Sequence, residues 1–153
     1  MSTSAHSALV LTSDQQQAAD AFADWMHQAD ATVPFVLSGF AGSGKTFLSM
    51  RLLQQVEASG LCWTVVAPTH KAVGVLRQAL ALEGLHPTWY PSTIHRLLRL
   101  KLKRQGDREL CESTEQTAAA LEHLGLVLID EASMVDSSLL SIALQCAHTF
   151  STR

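Results

Sequence analysis

The eight residues Gly39-Phe40-Ala41-Gly42-Ser43-Gly44-Lys45-Thr46 constrain this chain more than any other stretch. They satisfy G-x-x-x-x-G-K-[ST] at every fixed position and stand between an apolar run, Phe35-Val36-Leu37, and a helical pattern. A loop of this kind needs that setting: a buried strand delivers it, and a helix starting at its end turns free N–H groups and a positive dipole end toward a phosphate. Gly39, Gly42 and Gly44 permit positive φ and a close approach of backbone to anion. Lys45 supplies a movable charge for terminal phosphates, and the Thr46 hydroxyl is placed to ligate Mg²⁺. The spacing predicts a strand over 32–38, with Pro34 near its start, and a helix over 45–59 closed by Gly60.

Two further apolar runs fit the same sheet. Leu61 to Ala67, bounded by Gly60 and Pro68, reads as a second buried strand, and Leu126-Val127-Leu128-Ile129 as a third. Strands separated by helices at this distance predict right-handed parallel βαβ connections, whose ligands bind beyond the carboxyl ends of the strands. Pro68-Thr69-His70-Lys71 lies at such an end, ahead of a helix with Val73, Leu76 and Leu80 on its stripe. An earlier helix begins with Thr12 and Gln15 at capping-box spacing and carries Ala18, Phe22, Trp25 and Met26 on one face. A brief helix follows Ser92 or Thr93, and a last one starts at Asp136 with Leu139, Leu140, Ala143, Leu144 and Ala147 turned inward. Residues 1–10 read as a loose leader. Leu100 to Thr117, with Gly106-Asp107 at its middle, reads as a β-hairpin or an exposed excursion.

The third strand runs directly into Asp130-Glu131. Two adjacent acids at the end of a low-dielectric core are costly, so a structural strand gains nothing from them. A phosphate-transfer site does: Asp130 holds the hydration shell of Mg²⁺, and Glu131 orients and polarises the attacking water. The competing role for either acid is a helix N-cap.

Composition narrows the remaining classes. With 47% hydrophobic and 16% charged residues, the chain of 153 residues has the makeup of one globular α/β domain. Its apolar runs are too short to span a bilayer and its start lacks a basic, apolar leader, so a cytosolic protein without membrane attachment is expected. Cys62, Cys111 and Cys146 are odd in number and far apart, and the histidines are scattered, which leaves no disulfide framework and no metal beyond Mg²⁺. The net charge is −3, yet residues 96–108 gather Arg96, Arg99, Lys101, Lys103, Arg104 and Arg108 against the single acid Asp107. Such a stripe either neutralises phosphates or is an ordinary solvated face.

Taken together, LTSDQQQAADAF (11–22), GFAGSGKT (39–46), APTHKAV (67–73), STIHRLL (92–98) and VLIDEASMVD (127–136) resemble the first motor domain of superfamily 1 DNA helicases of the RecD/Dda-like branch. The resemblance spans residues 11 to about 147 and implies a RecA-like P-loop NTPase, a parallel sheet flanked by helices, over 11–153. It implies ATP and Mg²⁺ as cofactors and single-stranded DNA as partner. Gln15 matches the adenine-reading glutamine. Gly39, Gly42, Ser43, Gly44, Lys45 and Thr46 match the phosphate loop, and Thr46 and Asp130 the magnesium positions. Lys45, Asp130 and Glu131 match the catalytic positions, while Pro68, Thr69, His70, Lys71, Thr93 and His95 fall in the motifs that touch the DNA strand. In that family a further strand would enter the sheet between the phosphate-loop strand and the Asp130 strand, and a second RecA-like domain would follow. This chain stops at Arg153, so it reads as an N-terminal piece that should not unwind DNA by itself. Two other readings stay open: a free-standing P-loop nucleotide-binding protein, and a non-catalytic nucleic-acid-binding module. Trp89 and Tyr90 read as core residues ahead of base-stacking ones.

Overall fold

The computed structural model describes residues 10–30 and 33–153. Helix α1 (Ser13–Met26) leads through an irregular segment to the phosphate loop and α2 (Lys45–Ala58), then strand β1 (Trp63–Ala67), α3 (His70–Leu82) and β2 (Ser92–Thr93). Helix α4 (Ile94–Leu97), the hairpin strands β3 (Lys101–Gln105) and β4 (Arg108–Glu112), β5 (Leu126–Ile129) and α5 (Ser137–Phe150) complete the order.

The main sheet is three-stranded and parallel, in the order β2-β1-β5. Alternation along the strands divides the interior in two. Trp63, Val65, Ala67 and Leu126 turn toward α1, α2 and α3, while Val66 and the half-buried Val127 and Ile129 turn toward α4 and α5. Helices therefore cover both faces, which a parallel sheet requires. The phosphate-loop helix is held by Leu48, Met50, Leu52, Leu53 and Val56, all buried. Each such aliphatic side chain contributes about 1.5–3 kcal/mol when fully removed from water. Among the described residues no helix is long and apolar enough to cross a membrane.

The structure departs from the expected strand over 32–38. Thr32 lies outside the described residues, and 33–38 run as irregular chain that joins no ladder. The physical reason is pairing: a strand is defined by its hydrogen-bonded neighbour, and among the described residues no segment makes backbone hydrogen bonds to 33–38; the free edge of β5 is bonded to the chain end. Val127 N–H donates to the Arg153 carbonyl at 2.8 Å and Arg153 N–H to the Gly125 carbonyl at 2.9 Å, so Arg153 holds a parallel-ladder position beside Leu126. Phe35 and Leu37 still pack against the first core, with Phe35 edge-on to Phe22 and tilted against Trp25. Trp25 also donates from Nε1 to the Val33 carbonyl at 2.8 Å, fixing the path of the segment without a ladder.

Helix α5 also differs in part. Leu139 and Ala143 are buried as expected, with Cys146 beside them, but Leu140 and Leu144 are partly exposed. Leu144 and Ala147 line an apolar groove whose other wall includes Pro34, Val127 and Ile129. The excursion after Leu100 is a hairpin with register Lys101 opposite Glu112. Gly106 at φ +64 takes the first central position of its two-residue turn. The leader residues 1–9 lie outside the described residues.

Candidate active site

The phosphate loop is built on backbone freedom. Gly42 and Gly44 take φ of +78° and +82°, the left-handed region in which a side chain is strained. The loop closes with Ser43 N–H donating to the Phe40 carbonyl at 3.1 Å, and α2 opens with Leu48 N–H donating to the Gly44 carbonyl at 2.9 Å. Between those bonds, the N–H groups of Gly44, Lys45, Thr46 and Phe47 have no protein acceptor among the described residues. Helix α2 is also without a side-chain cap. Consecutive free amides at a helix start fit a phosphate group. Lys45 Nζ donates to the carbonyls of Gly39 at 2.6 Å and Phe40 at 2.9 Å, holding its charge over the mouth of the loop.

Gln15 joins this site from α1. Its Nε2 donates to the Ser43 carbonyl at 3.3 Å, while its Oε1 accepts from Thr12 N–H at 3.0 Å and its own N–H donates to Thr12 Oγ1. The capping box and the contact with the loop are therefore the same side chain doing both. A Cβ at Gly44 would lie 2.6 Å from Gln15 Nε2, and one at Gly39 2.7 Å from Ser43 Oγ.

The acid pair stands at the carboxyl end of β5. Asp130 is half-buried and its N–H donates to the Val66 carbonyl at 2.9 Å, which ties it to the end of β1. Glu131 is exposed with φ +53, a conformation that costs an ordinary residue about 1–2 kcal/mol. Arg99 and Ser151, each at the end of a helix, are the other non-glycine residues with positive φ among the described residues. The N-cap of α5 is Asp136, whose Oδ1 accepts from Leu139 N–H at 2.8 Å, so neither Asp130 nor Glu131 caps that helix. Among the described residues no hydrogen bond or ion pair joins the phosphate loop to Asp130 or Glu131.

The remaining predicted residues lie at the carboxyl ends of the neighbouring strands. Pro68 follows β1 and is half-buried, whereas Thr69, His70 and Lys71 are exposed at the start of α3. Thr69 Oγ1 accepts from Ala72 N–H at 3.2 Å as the N-cap. Ser92 and Thr93 pair with Val66 and Ala67, a two-residue strand the linear reading did not separate from the helix after it. Thr93 is buried, and its hydroxyl caps α4 through Arg96 N–H at 3.3 Å; His95 is half-buried on that helix.

Two of the six basic residues of the 96–108 stripe are matched within the hairpin, Lys103 to Glu112 at 2.8 Å and Arg104 to Glu109 at 3.6 Å. Arg96 and Arg99 instead line a separate cleft with Arg77 and Tyr90, an arrangement visible only once β2 is laid beside β1.

A family model described as an AAA domain matches residues 10–153. The chain belongs to the AAA domain family. This is a P-loop ATPase family that includes RecD-like helicase motor domains. The AAA domain chain thus has the α/β fold of a RecA-like P-loop NTPase fragment, and P-loop ATPase domains generally bind nucleotide with Mg²⁺. A protein of Acanthamoeba polyphaga mimivirus, named Uncharacterized protein R530, is 29% identical over 137 residues. The match takes in 82% of the AAA domain chain and 27% of the viral protein, so the chain spans about a quarter of that relative.

Proposed function

We propose that this chain is the N-terminal ATP-binding part of an ATP-dependent DNA helicase, which couples ATP hydrolysis to translocation on single-stranded DNA and to duplex unwinding. The observation that carries the reading is the common placement of two kinds of residue at the carboxyl ends of adjacent parallel strands. The acid pair Asp130-Glu131 follows β5, and Thr69, His70, Lys71 and His95 follow β1 and β2. A nucleotide-dependent motor needs its hydrolytic groups and its strand contacts on one rigid sheet, so that a change at one reaches the other.

Within this reading Lys45 and the free amides of Gly44 to Phe47 hold the phosphates, and Thr46 and Asp130 hold Mg²⁺ with its water. Glu131 accepts the proton of an attacking water and aims its lone pair. Gln15, fixed on the loop through Ser43, reads the adenine edge. ATP supplies a phosphoanhydride whose cleavage releases the free energy for stepping. Pro68, Thr69, His70, Lys71, Thr93 and His95 follow the DNA backbone and bases, and a second RecA-like domain completes the motor.

The test has two parts. A fluorescent ATP analogue with Mg²⁺ should bind the chain weakly, and Lys45→Ala should lower that affinity at least about tenfold, the loss of one charge-assisted phosphate contact. In a protein carrying both motor domains, single-stranded DNA should stimulate hydrolysis, and Glu131→Gln should abolish turnover while nucleotide still binds. Equal binding by Lys45→Ala, or hydrolysis indifferent to DNA, would sink the reading. Strong DNA-stimulated hydrolysis by this chain alone would refute the need for a second domain.

A further inference from the structure

We propose that the cleft lined by Arg77, Tyr90, Arg96 and Arg99 is a subsite for one nucleotide unit of a single-stranded nucleic acid, with Tyr90 under the base and the guanidinium groups on the flanking phosphates. The inference rests on the reading of the chain as a single-strand-acting ATPase and adds to it residues outside the strand-end motifs.

The cleft has a volume of about 390 Å³, within the range of sites that take a small molecule, and no Asp or Glu lines it. Among the described residues, none of its arginines has an ion-pair partner. Tyr90 is 75% exposed, an unusual position for an aromatic ring beside a proline-bounded turn. It is not loose: the Arg77 guanidinium lies 4.2 Å from its ring centroid and donates to the Pro91 carbonyl at 2.7 Å. The preceding residues are pinned to the sheet, with Thr88 N–H on the Trp63 carbonyl and Thr64 Oγ1 on the Trp89 carbonyl. One face of the ring is thus covered by a cation, which leaves the other for a stacked base. Trp89, by contrast, packs into the second core.

Arg99 lines the cleft from the end of helix α4. Helix α4 ends in a Schellman turn, with Leu100 N–H on the His95 carbonyl and Arg99 N–H on the Arg96 carbonyl, both at 3.1 Å. The left-handed position of that turn belongs to glycine at the ends of α2 and α3, where Gly60 and Gly84 occupy it. At α4 it is Arg99, at φ +54. The strain is held in place by Thr114 Oγ1, which donates to the Arg99 carbonyl at 2.9 Å. Ser151 holds the same left-handed position at the end of α5, so the turn by itself marks no function; at α4 it fixes where the Arg99 side chain leaves the backbone, beside Arg96 in the cleft. Three guanidinium groups and a presented ring in an acid-free cleft match the phosphate-plus-base chemistry of a single strand.

The experiment is fluorescence anisotropy of a labelled oligothymidine with the full chain across a salt series. Tyr90→Ala should weaken binding by about fivefold or more, the loss of one stacked base, and Tyr90→Phe should not. Arg96→Ala and Arg99→Gly should each weaken binding and reduce the salt slope by about 0.7. Arg99→Gly should also raise the melting temperature, which separates lost contact from lost folding. Wild-type affinity and slope in Tyr90→Ala and Arg99→Gly would overturn the subsite. If those variants bind normally while Lys71→Ala and His95→Ala do not, the subsite falls and the helicase reading stands. If the cleft variants weaken binding but DNA never stimulates hydrolysis, the subsite stands and the motor reading falls. An unmodified chain that binds no oligonucleotide overturns the subsite, while the motor reading is decided by DNA stimulation in the two-domain protein.

Discussion

Replacing Gly44 by alanine tests how the phosphate loop and the first helix depend on one another. Two costs add. At φ +82 a Cβ is strained, which costs about 1–2 kcal/mol. The new methyl also lies 2.6 Å from Gln15 Nε2, the far end of a flexible side chain, so Gln15 swings away instead of the backbone moving. That movement forfeits its bond to Ser43 and loosens the Thr12 capping box, about 1 kcal/mol for exposed hydrogen bonds of this length. The sum is about 2–3 kcal/mol, and at about 2–4 °C per kcal/mol for a domain of this size the melting temperature should fall by roughly 4–12 °C. A double-mutant cycle isolates the second term. In a Gln15→Ala background there is no amide to displace, so Gly44→Ala should cost only the backbone term, with a coupling of about 1 kcal/mol in urea unfolding. Equal costs of Gly44→Ala in both backgrounds would refute the claim that Gln15 occupies the space the glycine leaves.

Two further expectations follow from strain and burial. Glu131→Gly removes a side chain from a left-handed position and should raise stability by up to about 1 kcal/mol in thermal unfolding while ending any hydrolysis; a destabilised variant would mean Glu131 supports the fold. Burial pushes the Cys146 thiol above the ordinary cysteine range. Above that ordinary range the unfolded chain releases its proton first, so the folded state binds more protons and this group's contribution to stability falls as pH rises. Urea midpoints should therefore drop on the alkaline side, and Cys146→Ser should flatten the drop. In native protein the exposed Cys62 should react with a thiol reagent well before Cys146.

What could be read from the linear chain was whatever depends on local chemistry. The loop glycines, the Thr12–Gln15 box, Asp136 as a cap and the apolar stripe of α2 all act within one or two turns of their own position. Features that depend on a distant neighbour were harder to see. Residues 33–38 have the composition of a strand, but ladder pairing is supplied from outside the segment, and among the described residues none supplies it. Tyr90 and Trp89 are adjacent and chemically alike, yet one packs inward and the other is presented under Arg77, a choice made by the contacts of 88–89 with β1. The 96–108 stripe is split in space: Lys103 and Arg104 lie on β3 opposite acids of β4, whereas Arg96 and Arg99 precede the hairpin and line a separate cleft.

The way the helices begin carries a consequence for selectivity. Thr12, Thr69, Thr93 and Asp136 each turn a side-chain oxygen onto the first amides of α1, α3, α4 and α5. Only α2, among the described helices, starts from a residue with no side chain to offer. Among the five described α-helices, an anion therefore meets four starts at which a side-chain oxygen already holds an amide and one, α2, at which none does. The discrimination comes from the four occupied caps as much as from the vacant one, and a Thr69→Ala substitution would create a competitor at the strand end where the proposed nucleic-acid contacts lie.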